Sequence, residues 1–201
     1  MKLFFCTLCF VLLTVAGFSQ KQLFPDGIYL NAGQLRSKMP AFVAPLKVIP
    51  REISARVWAG GSEYKLVSDI DSLSKKYIKN RIFAYVKGDS MFLNDMSSWF
   101  SLSLTQGNFI VFRTCDDPNV TTMGVMFGLV GALAYSAAAH YNLAIVSLRT
   151  GNVRRFSKAY LEERLKEFPD LQKKFKEEGK KPPVETLLMY VDLLNERVPL
   201  D

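Results

Sequence analysis

The sequence predicts an α+β fold in which an antiparallel β-meander closes toward a small barrel or roll and helices follow it. Short β-favouring runs separated by tight turns fill the chain from Pro25 to Cys115. An uncharged Gly/Ala-rich segment comes next, and residues 157–201 repeat apolar side chains at helical spacing. Because hairpins in series need no crossover connections, an antiparallel sheet is the natural arrangement.

The N-terminal segment, residues 1–19, predicts export. Lys2 precedes an unbroken apolar run from Leu3 to Val15, and a pair of small residues follows it. A basic start, an apolar core too short to span a bilayer with its flanks, and small residues at a cleavage point are the marks of a secretory signal peptide. We therefore expect a periplasmic or envelope-associated protein.

Residues 20–119 are expected to form the β-rich body. After a first strand that begins at Asp26-Gly27, Asn31 is expected to cap a short helix that ends before Pro40, and residues 41–51 to cross the body in an extended form. Turn residues between apolar runs predict hairpins of 56–59 with 63–67, 81–87 with 91–93, and 100–104 with 109–115. Alternating serine and threonine predicts one wet face for the strand that starts at Phe100.

Residues 120–140 are expected to form an apolar helix. Gly124, Gly128 and Gly131 recur at steps of three and four residues and predict a smooth stripe for helix packing. The stretch 121–139 would measure roughly 28 Å as a helix, long enough for a bilayer core. Acidic residues precede it and basic residues follow it, as the positive-inside rule expects of a segment with an exported N-terminal side. The helix is therefore expected either inside the fold or across a membrane.

The C-terminal quarter of the chain predicts a hairpin and then a helical cap. Residues 141–156 resume a strand pattern around Thr150-Gly151 and are expected to join the sheet. Residues 157–201 predict three short helices: Ser157 caps the first, and Pro169 separates it from the second.

The candidate reactive residues are few. After signal removal, Cys115 and His140 are the only cysteine and histidine, and a zinc site wants three or four such ligands. Asp116-Asp117, with Asp69 and Asp71, could supply oxygen ligands or a carboxylate pair, but the neighbours of Asp116-Asp117 indicate turn chemistry. We expect no catalytic residue, no metal site and no cofactor.

An aromatic groove is the candidate binding site. Its side chains alternate with cationic residues along the predicted strands and could contact a saccharide or peptide; they are Trp58, Tyr64, Tyr85 and Trp99. Aromatic residues in strands more often pack in cores, so core packing is the competing interpretation.

Several motifs together resemble those of uncharacterised secreted proteins of Bacteroidota. They are the Pro25–Tyr29 start, the Tyr85–Ser90 turn, the Gly/Ala-rich helix, the Leu148–Gly151 hairpin and the Phe168–Leu171 stretch of the helical tail. The resemblance covers nearly the whole mature chain. It implies an envelope location and assigns no activity.

Net charge and export together restrict the kinds of partner that are expected. The formal net charge of +7 is a moderate excess that suits an anionic envelope polymer or lipid headgroups as well as an envelope protein. Export, and the lack of a dense Arg/Lys stripe, argue against nucleic acid.

We therefore expect an exported, non-catalytic envelope protein that acts by binding or assembly. The alternative is a single-pass inner-membrane protein with a periplasmic β-domain, making membrane contact through 121–139. A hydrolase using Cys115 or Asp116-Asp117 is the third class, and no motif supports it.

Overall fold

A computed structural model describes residues 22–52, 63–70, 73–94, 99–114 and 142–200. Several predicted features lie outside these ranges: the signal peptide, Trp58, Cys115, Asp116-Asp117, His140, and the apolar helix with Gly124, Gly128 and Gly131.

The described chain confirms the α+β class with two antiparallel sheets. The strands are β1 (Gly27–Tyr29), β2 (Lys47–Pro50), β3 (Tyr64–Val67), β4 (Ala84–Lys87), β5 (Ser90–Asn94), β6 (Phe100–Leu102), β7 (Phe109–Thr114), β8 (Asn142–Ser147) and β9 (Val153–Arg155). The helices are α1 (Ala32–Arg36), α2 (Lys75–Arg81), α3 (Lys158–Leu165), α4 (Pro169–Glu177) and α5 (Val184–Arg197). Six strands curl into a half-barrel in the order β1-β4-β5-β6-β3-β2, and the second sheet has the order β7-β8-β9.

The central strands are apolar on both faces because each sheet packs on two layers. In β4, Ala84 and Val86 face the second sheet, and Tyr85 faces the concave side of the half-barrel. In β7, Ile110 and Phe112 join the same inter-sheet core, whereas Val111 faces the C-terminal helices. This two-residue period explains why these strands read as continuous apolar runs.

The three layers of core are distinct. The inter-sheet core lies between the two sheets, the half-barrel core lies on the concave face under α2, and the helical core lies between the second sheet and α3–α5. Each large apolar side chain fully buried in them contributes about 1.5–3 kcal/mol.

The C-terminal helix is tied to the connection between β6 and β7. The Asn195 side chain accepts a hydrogen bond from Phe109 N (2.8 Å) and donates to Phe109 O (2.9 Å) and Gln106 O (3.3 Å). Gly107 has φ +149°, and a Cβ there would lie 2.6 Å from Asn195 Oδ1. Asn108 Nδ2 donates to the carbonyls of Val198 and Pro199, which fixes the chain after α5.

The hairpin expected between residues 100–104 and 109–115 forms only at its turn end. Ser103 and Phe112 pair in an antiparallel bridge and Leu104 N donates to Val111 O, whereas β6 and β7 themselves belong to different sheets. The Thr105 hydroxyl accepts from Val111 N and donates to Phe109 O, which replaces part of the backbone ladder there.

The wet face expected on β6 is also wrong. Ser101 and Thr105 are buried, because the second sheet packs on that face. The expected crossing segment 41–51 contains β2, which is antiparallel to β3. The other half of the hairpin predicted for residues 56–67 lies outside the described residues.

Capping residues mark where several of the helices begin. Asn31 accepts from Gln34 N before α1, and Ser157 accepts from Tyr160 N before α3. Helix α2 was not predicted from the sequence; Ser74 caps it by accepting from Tyr77 N, and only Ile78 in it is fully buried.

The segment between β7 and β8 leaves and re-enters the sheet at one place. Thr114 and Asn142, its flanking residues, are cross-strand partners in the β7–β8 ladder. Within the described ranges, none of the helices has the length and apolarity needed to cross a membrane.

Candidate cleft and cationic surface

A cleft of about 660 Å³ opens on the concave side of the half-barrel. Curling of the sheet brings the chain around β2 towards the β4–β5 hairpin, so that residues of both line the cleft. Its apolar part consists of Leu46, Val48, Ile70 and Phe92, and its polar part of Lys47, Asp69, Lys87 and Ser90.

Buried aromatic residues fix the floor of this cleft. Leu46 N donates a hydrogen bond to Tyr85 Oη at 3.2 Å, which holds the segment before β2 against β4. Phe92 stacks on Tyr85 (ring centroids 6.5 Å apart) and meets Tyr64 edge-on at 5.2 Å. Two of the predicted groove residues, Tyr64 and Tyr85, therefore support the floor from within the half-barrel core.

The rim of the cleft carries both signs of charge. Lys47 Nζ lies 2.6 Å from Asp69 Oδ2, and both side chains are largely exposed. An exposed pair of this kind contributes about 0–1 kcal/mol. Lys87 lies on the opposite rim, at the end of β4. The cleft thus presents an apolar floor between charged edges.

Trp99 lies in a different environment, among cations. Arg51 Cζ lies 3.6 Å from the centroid of the Trp99 ring, and Lys79 Nζ lies 4.7 Å from it. Lys79 also lines a small crevice with Lys65 and Lys75. We call Arg51, Lys65, Lys75, Lys79 and Trp99 together the Trp99 surface.

The sequence pattern identifies Trp99 but not most of the cations around it. Arg51 follows β2, and Lys75 and Lys79 lie on the unpredicted helix α2. One sequence feature does indicate these cations: residues 75–81 contain four basic side chains and no acidic one, directly after a capping serine.

The tyrosines with raised pKa values lie away from both surfaces. Burial raises the pKa of Tyr29 to about 12, and the nearby Asp26 carboxylate adds to the effect. Burial also raises the pKa of Tyr190, helped by its hydrogen bond to Glu178. Tyr29 belongs to the inter-sheet core and Tyr190 to the helical core, so these shifts reflect packing.

Asp69, a candidate oxygen ligand, is instead the ion-pair partner of Lys47. No three His, Cys, Asp or Glu side chains in the described part of the chain are grouped so as to hold a metal ion.

Comparison with known proteins gives a family without an assigned role. A family model with the description "Family of unknown function (DUF6563)" matches residues 27–198. The match begins with β1 and ends just after α5, so it spans both sheets and the C-terminal helices. Neither a curated protein nor a solved structure matches the chain.

Proposed function

The chain belongs to a family of unknown function, DUF6563, and from that premise we propose that it is an exported envelope protein that binds a partner in the cleft of the half-barrel. The observation that carries this proposal is the cleft itself, with its apolar floor and charged rim. Its action is binding rather than catalysis.

The construction of the cleft supports a binding role. Ligand sites are typically concave, of about 300–1,000 Å³, mostly apolar and equipped with a few polar groups that orient the ligand. The cleft has this volume, and its floor contains Leu46 and Phe92, which are both buried. Because the core holds the floor in place, a ligand would not have to order it on binding.

The rim indicates the kind of ligand. Lys47 and Asp69 lie on one side of the apolar floor, and Lys87 lies on the other. The lysines can donate hydrogen bonds to a ligand, and the aspartate can accept them. A peptide or saccharide segment with one apolar face and polar edges fits this arrangement.

Export rests on the sequence. Residues 1–19 have the order of a secretory signal peptide, and the motifs resemble those of secreted proteins of Bacteroidota. We therefore propose that the mature chain begins near Gln20 and works in the periplasm or elsewhere in the envelope.

The pairing of Thr114 with Asn142 favours this proposal over a single-pass membrane protein. A chain that crossed a bilayer once between these residues would leave them on opposite sides of a hydrocarbon core about 30 Å thick. Strand pairing instead requires them to be neighbours.

A matched pair of variants tests the cleft. Lys87→Trp places an indole on the cleft rim, and Lys173→Trp makes the same change on the exposed face of α4. Oligosaccharide and peptide fragments of the envelope are screened by thermal shift against the chain from Gln20. A fragment that binds the cleft raises the Tm of the parent and of Lys173→Trp but not of Lys87→Trp. Equal shifts in both variants would contradict the cleft as the binding site.

Fractionation tests the location. Osmotic shock is expected to release a chain whose N-terminus has been cleaved near Gln20. A cytoplasmic chain that retains Met1 would contradict export, without affecting the binding result.

A further inference from the structure

We propose that the Trp99 surface binds an acidic polysaccharide through the polymer's carboxylate or sulfate groups. The choice of a polysaccharide rests on the proposed export, whereas the charge argument stands on the structure. The site is separate from the cleft.

Helix α2 places two of its four cations where they destabilise it. Lys75 and Lys76 lie in its first turn, where the positive end of the helix dipole repels them. Lys75 and Lys79 are four residues apart, so their ammonium groups are neighbours on one face. Local charge choices that work against an element are expected at functional sites. A bound anion would remove this repulsion.

The cations of the Trp99 surface are held close together. Arg51 Cζ and Lys79 Nζ lie 3.6 and 4.7 Å from the centroid of one indole ring, so the two charges are no more than about 8 Å apart. The indole attracts each cation but does not cancel its charge. The Lys79 ammonium group can therefore still attract an anionic group.

Among the residues that the structure describes, no acidic side chain forms an ion pair with the lysines of this surface. The basic residues Lys47, Arg113, Lys158 and Arg197 form ion pairs with described acidic residues. Lys65, Lys75 and Lys79 make none of them. The surface therefore keeps a concentration of positive charge that a partner could meet.

The layout of the surface favours a flexible polymer of repeating anionic groups. Its cations come from three elements: the end of β2, the strand β3 and the helix α2. A bilayer fits less well, because membrane-surface helices insert an apolar face and Ile78, the buried apolar residue of α2, belongs to the half-barrel core. Trp99 is half-buried at this surface.

Two triple variants of equal charge test the proposal. Lys65→Gln/Lys75→Gln/Lys79→Gln removes three charges from the Trp99 surface, and Lys173→Gln/Lys174→Gln/Lys176→Gln removes three from the exposed side of α4. Binding of alginate, which is carboxylated, and heparin, which is sulfated, is measured across a salt series. The first variant is expected to bind at least one of them about tenfold more weakly, with a salt slope lower by about two to three. The second is expected to change the affinity less than about threefold.

Fluorescence locates the contact. The sequence has two tryptophans, so Trp58→Phe leaves Trp99 as the sole tryptophan reporter. Alginate or heparin is expected to shift or quench its emission, and adding Lys79→Gln to Trp58→Phe is expected to reduce that change.

Three results would overturn the proposal. They are equal losses of affinity in the two triple variants, Trp99 emission that stays constant through saturation, and binding to phosphatidylglycerol vesicles without binding to either polysaccharide. Circular dichroism checks that the variants are folded. Because Lys87→Trp leaves the Trp99 surface intact, it should bind the polysaccharides normally, so this proposal and the cleft can fail separately.

Discussion

Helices α2 and α4 are both short and rich in lysine, but the charges in their first turns have opposite signs. Helix α4 has Asp170 in its first turn and Lys174 and Lys176 in its last, as the helix dipole favours, and Asp170 accepts a 2.7 Å hydrogen bond from Arg197. Helix α2 begins with two lysines and contains no acid. The first turn of α4 has the charges that favour helix stability, whereas the first turn of α2 has the charges that the proposed contact with an anionic partner would favour.

The largest effect on the free energy of unfolding is expected at the connection between β6 and β7, where Asn195 of α5 is bound. Gly107→Ala forces an L side chain into φ +149° and against Asn195, so it should destabilise the protein by about 3 kcal/mol in urea unfolding. Gly88→Ala is the control, because φ is also positive there but nothing lies within 4 Å of the added Cβ. It should cost about 1–2 kcal/mol. Equal losses would mean that the contact with Asn195 adds nothing.

The next largest effect tests the hydrogen bonds that Asn195 makes to the connection between β6 and β7. Asn195→Ala removes three hydrogen bonds and leaves the Phe109 amide without its partner, so a loss of about 2 kcal/mol is expected. Asn152→Ala, in the exposed turn before β9, should stay within about 0.5 kcal/mol of the parent. Similar values for the two variants would contradict a role for Asn195 in docking α5.

The smallest effects on stability come from charge changes in α2 and α4, and they are expected to have opposite signs. Lys75→Glu replaces repulsion in the first turn of α2 by attraction and should stabilise the protein by about 0.5 kcal/mol. Asp170→Lys does the reverse in α4 and should destabilise it by about 1 kcal/mol. Both changes should shrink in high salt. Destabilisation by Lys75→Glu would contradict the view that the α2 charges work against the helix.

Sequence patterns predicted the features that are decided locally. The caps at Asn31 and Ser157, the hairpin around Gly88, and the three C-terminal helices each depend on residues within a few positions of one another. The α+β class followed from them. Such signals survive in the fold because tertiary packing did not oppose them.

Features decided by distant contacts were not predicted. Ser101 and Thr105 look like a wet strand face, yet a second sheet covers them, and the alternation of polar and apolar residues alone does not indicate that cover. Helix α2 fills two turns and fully buries one side chain, too little for a periodic pattern to stand out. The grouping of Trp99 with Arg51 and Lys79 depends on the curl of the half-barrel, so Trp99 was assigned to an aromatic groove with Tyr64 and Tyr85.

The β7–β8 ladder has a consequence for how this fold tolerates insertions. Because Thr114 and Asn142 are held side by side, the chain that connects them leaves β7 and enters β8 at the same point. The length of that connection does not set the register of either strand. The register of both strands is therefore expected to survive a change in the number of residues that connect them.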